Sequence, residues 1–180
     1  GEIGHISIDP KGKRCICAEI PTLDLRTRIL VLMHFREAPK TTNTGRFLPR
    51  MSRNARMMVR GAPFSVPEEI VIDPGHRALV LHPDAERELS PEDAQENNLL
   101  LVPDATWSQT RRMLRREPAL MAARRVRLPP GPKTRYRLRF DAREGHLATL
   151  EAVAHALGIL EGPSVQAEIL WPGTRLLTPR

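Results

Sequence analysis

Asp104 is the residue whose neighbours best equip it for chemistry. It follows the apolar run Leu99-Leu100-Leu101-Val102, which ends at Pro103, a residue unable to donate to a strand ladder. Thr106 and Gln109 have capping-box spacing, so a helix starts at about Trp107 and Asp104 falls on the turn between strand and helix. A carboxylate at the carboxyl end of a buried strand, beside a helix N-terminus, stands where open α/β sheets place their ligands. The same spacing also describes an aspartate that only terminates a strand.

Other stretches carry complementary chemistry. The polar loop Lys40-Thr41-Thr42-Asn43-Thr44-Gly45-Arg46 precedes Phe47, Leu48 and Met51 at helical spacing, with Pro49 restricting the start of that helix. Such a turn presents backbone N–H groups beside an arginine and suits a carboxylate or phosphate, although a plain helix cap has the same composition. The helix from about Trp107 to Arg116 packs through Trp107, Met113 and Leu114. Its flank of Arg111, Arg112, Arg115 and Arg116 reads either as an RNA contact or as a solvated basic face. Lys133-Thr134-Arg135-Tyr136-Arg137-Leu138-Arg139 alternates basic with other residues, as a phosphate-backbone groove with a stacking tyrosine or as a basic edge strand. Thr149 and Glu151 lie near the start of a further helix, within reach of a site if that end faces the strand ends.

The elements that must position these residues follow from hydrophobic patterning. Arg28 to Met33 is a continuous run expected of a strand buried on both faces in the middle of a sheet. Met57 to Val59, Ile70 to Ile72 and Ala78 to Leu81 are short apolar segments separated by Gly61, Pro63, Pro67, Pro74 and Gly75. Ala78 to Leu81 is the best strand among them and leads through His82-Pro83 into a loop with potential ligand contacts. Ser90-Pro91-Glu92-Asp93 starts a short capped helix, and Val126 to Leu128 reads as another strand before the break at Pro129-Pro130-Gly131-Pro132. Leu147, Leu150, Ala154 and Leu157 mark a helix from about His146 to Glu161, stopped by Gly162-Pro163. Ser164 is expected to cap a last short helix ending near Trp171. Strands alternating with helices predict an α/β fold, a mainly parallel sheet flanked by helices.

With 180 residues the chain suits one domain, led by a loose segment over residues 1–14. Because it starts at Gly1 rather than Met, that segment is expected to be truncated. The 28 Lys and Arg against 21 Asp and Glu give +7, and with a pI of about 10.4 favour a nucleic-acid partner. No apolar run reaches membrane-span length and no signal-peptide core is present, which predicts a cytoplasmic protein. Cys15 and Cys17 stand too close for an ordinary disulfide, and two thiolates do not complete a zinc shell. The six histidines show no metal spacing, and no nucleophile-elbow motif supports a hydrolase.

Taken together, the motifs resemble a known family. Asp104-Ala105-Thr106-Trp107 is similar to the signature of the DTW-domain family, tRNA-uridine aminocarboxypropyltransferases related to the knotted SPOUT RNA methyltransferases. Thr42-Asn43-Thr44-Gly45-Arg46 resembles the family's Asn-Thr-Gly-Arg loop, Tyr136-Arg137-Leu138-Arg139 its Tyr-Arg-Leu-Arg segment, and Thr149-Leu150-Glu151-Ala152 its Ser/Thr-x-Glu-Ala helix. The likeness runs from about Cys15 to Ala156. Departures occur where relatives commonly carry a Cys-x-x-Cys pair ahead of the Cys-x-Cys that remains here, an aromatic at His82, and Gly at Ala105. No zinc is therefore expected.

The resemblance implies a SPOUT-like fold with a C-terminal trefoil knot and a tRNA partner, with the oligomeric state left open. It implies transfer of the 3-amino-3-carboxypropyl group of S-adenosylmethionine to N3 of a tRNA uridine, releasing methylthioadenosine. Asp104 then either serves N3 as base or orienting group, or holds the donor's ammonium. Donor-binding residues implied by the resemblance are Asn43, Thr44, Gly45, Arg46, Leu81, Pro83, Pro103, Thr106, Trp107, Tyr136, Leu138, Thr149 and Glu151. For Trp107 a core anchor is the competing role. The RNA surface would comprise Arg111, Arg112, Arg115, Arg116, Lys133, Arg135, Arg137 and Arg139. A SPOUT-class RNA methyltransferase releasing S-adenosylhomocysteine, or a non-catalytic RNA-binding module with steep salt dependence, are the alternatives.

Overall fold

The computed structural model of the protein describes residues 17–40, 43–130 and 145–170, of which residues 17 and 145–148 by backbone alone. In chain order the elements are β1 (Arg28–His34), α1 (Leu48–Met51), β2 (Ala55–Arg60), β3 (Arg77–Leu81), β4 (Asn98–Asp104), α2 (Trp107–Arg116), α3 (Pro118–Ala122), β5 (Arg124–Val126), α4 (Gly145–Leu160) and α5 (Pro163–Ile169). Short 3-10 turns cover Cys17–Glu19, Gly45–Phe47 and Pro91–Asp93. The strands form one parallel sheet in the order β2-β1-β4-β3-β5.

Side-chain alternation along these strands builds two apolar layers. Ile29, Val31, Leu79, Leu81, Leu100 and Val102 point to one face, where Phe47, Leu48 and Met51 cover them together with Leu150, Val153, Ala154 and Leu157 of α4. Leu30, Leu32, Val80 and Leu101 point to the other, under Met113 and Leu114 of α2 and Leu120 of α3. The interior strands therefore read as uninterrupted apolar runs, because both faces are buried. Helix α4 is apolar nearly all round for the same reason: it lies on the sheet and carries α5 on its back.

The topology creates a crevice. From β1 the chain runs through α1 to β2 on one flank, whereas from the adjacent β4 it runs through α2 and α3 to β5 on the other, across β3. Neighbouring strands whose connections leave in opposite directions open a cleft at their carboxyl ends, the switch point of doubly wound sheets. Asp104 ends β4 at that cleft and is paired in register with Met33 of β1.

Some expectations shift in detail. β1 is interior, paired on both sides, but β4 rather than β1 is the central strand. β4 continues through Pro103 to Asp104. Ile70–Ile72 is not a strand; Ile70 instead packs into the second apolar layer. β5 ends at Val126, so the strand lies earlier than the expected 126–128, and Arg127 only bridges to Glu88. The last helix is capped by Gly162 with Pro163 as its first residue, so Ser164 lies inside it. Residues 1–14, 133–139 and Trp171 are outside the described residues, as is 131–144 in the connection from β5 to α4 on which the expected knot would depend. Among the described residues no helix is long and apolar enough to cross a membrane.

Two buried carboxylates tie down the end of the sheet opposite the crevice. Glu161 accepts hydrogen bonds from the Thr27 backbone at 2.6 Å and its hydroxyl at 2.5 Å, and from Arg26. Asp93, fully buried, accepts from Arg77, from Arg87 at 2.9 Å and from the Ser90 backbone at 3.0 Å. Burial pushes both carboxyls up, but these donors outweigh it and hold both below their ordinary values. A carboxyl depressed by folding stabilises fully above its unfolded pKa, and that contribution is lost as pH falls through the depressed value. The urea midpoint should therefore drop on acidification below about pH 4.5, and Glu161→Gln should make that drop shallower while lowering the midpoint at neutral pH. An acid slope identical in the variant would remove Glu161 from this role.

Candidate active site

Asp104 is buried, at 6% of its possible exposure, and its carboxylate is a meeting point of separate parts of the chain. Leu100, Val102 and Asp104 alternate onto the face covered by α4, so the side chain turns toward the loop after β1 and the start of α4. There Asn43 Nδ2 donates to Asp104 Oδ2 at 2.9 Å, and Thr149 Oγ1 donates to Asp104 Oδ1 at 3.1 Å. Asn43 is itself buried, and its Oδ1 accepts the Gly45 backbone N–H at 2.9 Å. A Cβ on Gly45 would stand 2.7 Å from Asp104 Oδ2, closer than any ordinary contact, which explains a glycine there.

The loop around this carboxylate is shaped by its own residues. Thr44 is buried and its carbonyl accepts the Phe47 N–H at 3.1 Å. Arg46 Nη2 donates to the carbonyls of Ala38 at 3.1 Å and Lys40 at 3.0 Å, so the guanidinium braces the loop. Glu37, buried, pairs with Lys40 on the same loop.

On the other side of the sheet α2 begins. Its capping box forms as its spacing predicts, with Gln109 accepting the Thr106 N–H at 2.9 Å. Half-buried Trp107 packs on His82, with ring centroids 5.4 Å apart. Burial lowers the His82 pKa; Asp84 opposes this and Arg125 adds to it, which favours a neutral ring in the stack. Leu81 and Pro103 are buried, whereas Pro83 and Glu151 are half-buried. Thus Asn43, Gly45, Asp104 and Thr149 meet in one cluster, while Trp107 and His82 meet on the opposite face. Tyr136, Leu138, Lys133, Arg135, Arg137 and Arg139 lie outside the described residues.

Arg111, Arg112, Arg115 and Arg116 are all exposed, as a basic flank requires. Arg60, by contrast, is buried: it pairs with Glu117 at 2.9 Å and donates to the Glu68 carbonyl at 2.6 Å, fixing the end of the edge strand to the α2–α3 junction. The sequence reading missed the packing of His82 on Trp107 and the direct link from Asn43 to Asp104. Strand parity in β4 was the available signal for the face on which Asp104 lies. Among the described residues no group of three or more His, Cys, Asp or Glu could hold a metal ion.

A family model described as DTW domain matches residues 11–172. The tRNA-uridine aminocarboxypropyltransferase 2 of Macaca fascicularis is 26% identical over 171 residues, covering 89% of this chain and 57% of that protein. The chain thus spans little more than half of that relative's length. No solved structure matches it significantly.

The Gly45 contact makes a test of the cluster. Gly45→Ala should displace the Asp104 carboxylate, break its bond to Asn43 and lower stability by about 1–3 kcal/mol, as overpacking does. In an Asp104→Ala background the same substitution should cost far less, because the atom it strikes is gone. Additive urea-unfolding losses in the double variant would show that the two residues do not compete for this space.

Proposed function

The chain belongs to the DTW-domain family, and on that premise we propose that it is a tRNA-modifying transferase that moves the 3-amino-3-carboxypropyl group of S-adenosylmethionine to N3 of a tRNA uridine. The observation that carries this reading is the buried Asp104 carboxylate, held by Asn43 and Thr149 at the sheet's switch point. A carboxylate so held suits a ligand with an ammonium group, and the absence of a side chain at Gly45 lets its backbone lie close beside Asp104 Oδ2. The SPOUT-like C-terminal knot, a cytoplasmic tRNA pool as substrate source and the RNA contacts of Arg111, Arg112, Arg115, Arg116, Lys133, Arg135, Arg137 and Arg139 belong to the same proposal.

When bound, the donor supplies a carbon made electrophilic by its sulfonium. What the protein must add is alignment, since the same donor carries several carbons and only the one aimed at N3 reacts. Asn43 and Thr149 fix both oxygens of Asp104, so the carboxylate cannot rotate away from its task. In one role it takes or orients the N3 proton, a contribution typically worth about 10²- to 10⁴-fold. In the other it holds the donor's ammonium while Arg46 serves its carboxylate. The family resemblance assigns Leu81, Pro83, Pro103, Tyr136 and Leu138, with Thr44, Thr106, Trp107 and Glu151, to donor binding. Apolar contacts of this kind exclude water, and a displacement in which charge is neutralised gains from a dry site.

Asp104→Asn, incubated with S-adenosylmethionine and unmodified tRNA, should lose more than about 10²-fold in turnover by mass spectrometry of nucleosides. Affinity for tRNA should be preserved. Unimpaired donor binding in this variant assigns Asp104 to the N3 proton, and lost donor binding assigns it to the ammonium. Retained turnover would overturn the catalytic reading, and S-adenosylhomocysteine with methyluridine from the wild-type protein would replace it with methyl transfer.

A further inference from the structure

At the carboxyl end of β1 the chain builds a second surface beside the crevice. Met33 pairs with Asp104, so His34 stands one residue beyond the level of the site, on a strand about 5 Å from β4. Alternation puts His34 on the face opposite Asp104, toward α2. The His34 and Phe35 rings lie 4.8 Å apart at 39°, and the Arg36 guanidinium sits 5.6 Å over the Phe35 ring.

This group is held in place from behind. The Phe35 N–H donates to the Arg60 carbonyl at 2.9 Å, and Glu37 N–H to that of His34 at 2.8 Å. The Arg36 N–H donates to His34 Nδ1 at 3.3 Å. Gly61, with φ of +77°, packs its backbone against the imidazole: a Cβ there would be 3.0 Å from Nε2. Burial lowers the His34 pKa, and Arg36 and Arg112 lower it further, against a weaker opposing pull from Glu37. The basic flank of α2, Arg112 included, is exposed on the same side of the sheet. Arg36 and Arg112 are exposed and form no ion pair with the described residues.

We propose that His34, Phe35 and Arg36, on the side of the sheet that carries the basic flank of α2, form a base-stacking site for an RNA nucleotide flanking the uridine presented to Asp104. The inference rests on the transferase reading and names a contact it does not contain. A half-buried aromatic ring and a guanidinium plane, fixed from behind, are what an unstacked base requires, and the exposed arginines on this side of the sheet suit the phosphates that follow it. The same charge argues against the adenine of the donor as occupant. S-adenosylmethionine carries a sulfonium, an ammonium and one carboxylate, hence a net positive charge that this surface repels, whereas RNA is a polyanion.

The test compares binding of a fluorescein-labelled oligouridylate with that of an abasic ribose-phosphate strand of the same length, without donor. The ratio of the two affinities isolates base contacts from phosphate contacts. In Phe35→Ala that ratio should fall about ten-fold, in the range of a lost stacking contact. Phe35→Trp should keep it, and since the tryptophan variant retains a ring, it separates lost stacking from lost folding. Arg36→Gln should weaken both strands and reduce the salt slope. An unchanged ratio in Phe35→Ala, with wild-type binding intact, overturns the stacking site and leaves the transferase reading standing. Loss of donor binding in Phe35→Ala with an unchanged ratio would assign the ring to adenine and also overturn it. No binding of either strand by the wild-type protein would sink the RNA reading itself, and this inference with it.

Discussion

A carboxylate removed from water must find donors, and the protein meets this constraint at Asp104 with two side chains from distant parts of the sequence. An ionised group left without partners in such a place would cost several kcal/mol. Asn43 and Thr149 remove that penalty, and in doing so they fasten the loop after β1 and the first turns of α4 to the end of β4. Asn43 then organises its own loop through Gly45, and Arg46 braces the loop's other side. The fold around the crevice is thus assembled on the group that its proposed chemistry needs.

The alternation of strand side chains divides the surroundings of the crevice into two environments. Asp104 shares its face with α1 and α4, where the polar cluster is enclosed. His34 and His82 emerge on the other face, beside α2 and its exposed arginines. Burial lowers the pKa of both imidazoles, which favours their neutral rings. In the proposed reaction, a small charged donor on the enclosed face and a polyanion on the open, basic face would approach one strand end from different surfaces. This separation needs no separate domain; it follows from the period of two in a strand and from connections that leave β1 and β4 in opposite directions.

Much of this was legible in the residues. The apolar runs at 28–33, 78–81 and 99–102 mark interior strands, and the Thr106–Gln109 capping box forms where its spacing puts it. The helix pattern of Leu150, Ala154 and Leu157 is buried as its periodicity requires. Ile70–Ile72 misled because a short apolar run reads the same whether it pairs in a sheet or packs as a loop, and here burial of Ile70 satisfied it without a ladder. The start of α5 was displaced because glycine followed by proline offers a cap as readily as a serine does. The motif residues Asn43, Gly45, Asp104 and Thr149 could be named as candidates, but nothing in their local spacing shows that they touch.

By itself the sequence determined the elements, the parallel α/β class and the family, because periodicity, caps and motif order are local properties that survive in one dimension. Tertiary structure alone decided that β4 is the central strand, that Asn43 and Thr149 grip opposite oxygens of Asp104, and that Trp107 lies on His82 across the sheet from them. Those facts depend on strand order and on which face each side chain takes. Both are settled by the collective burial of two apolar layers, a property of the whole chain that no single segment carries.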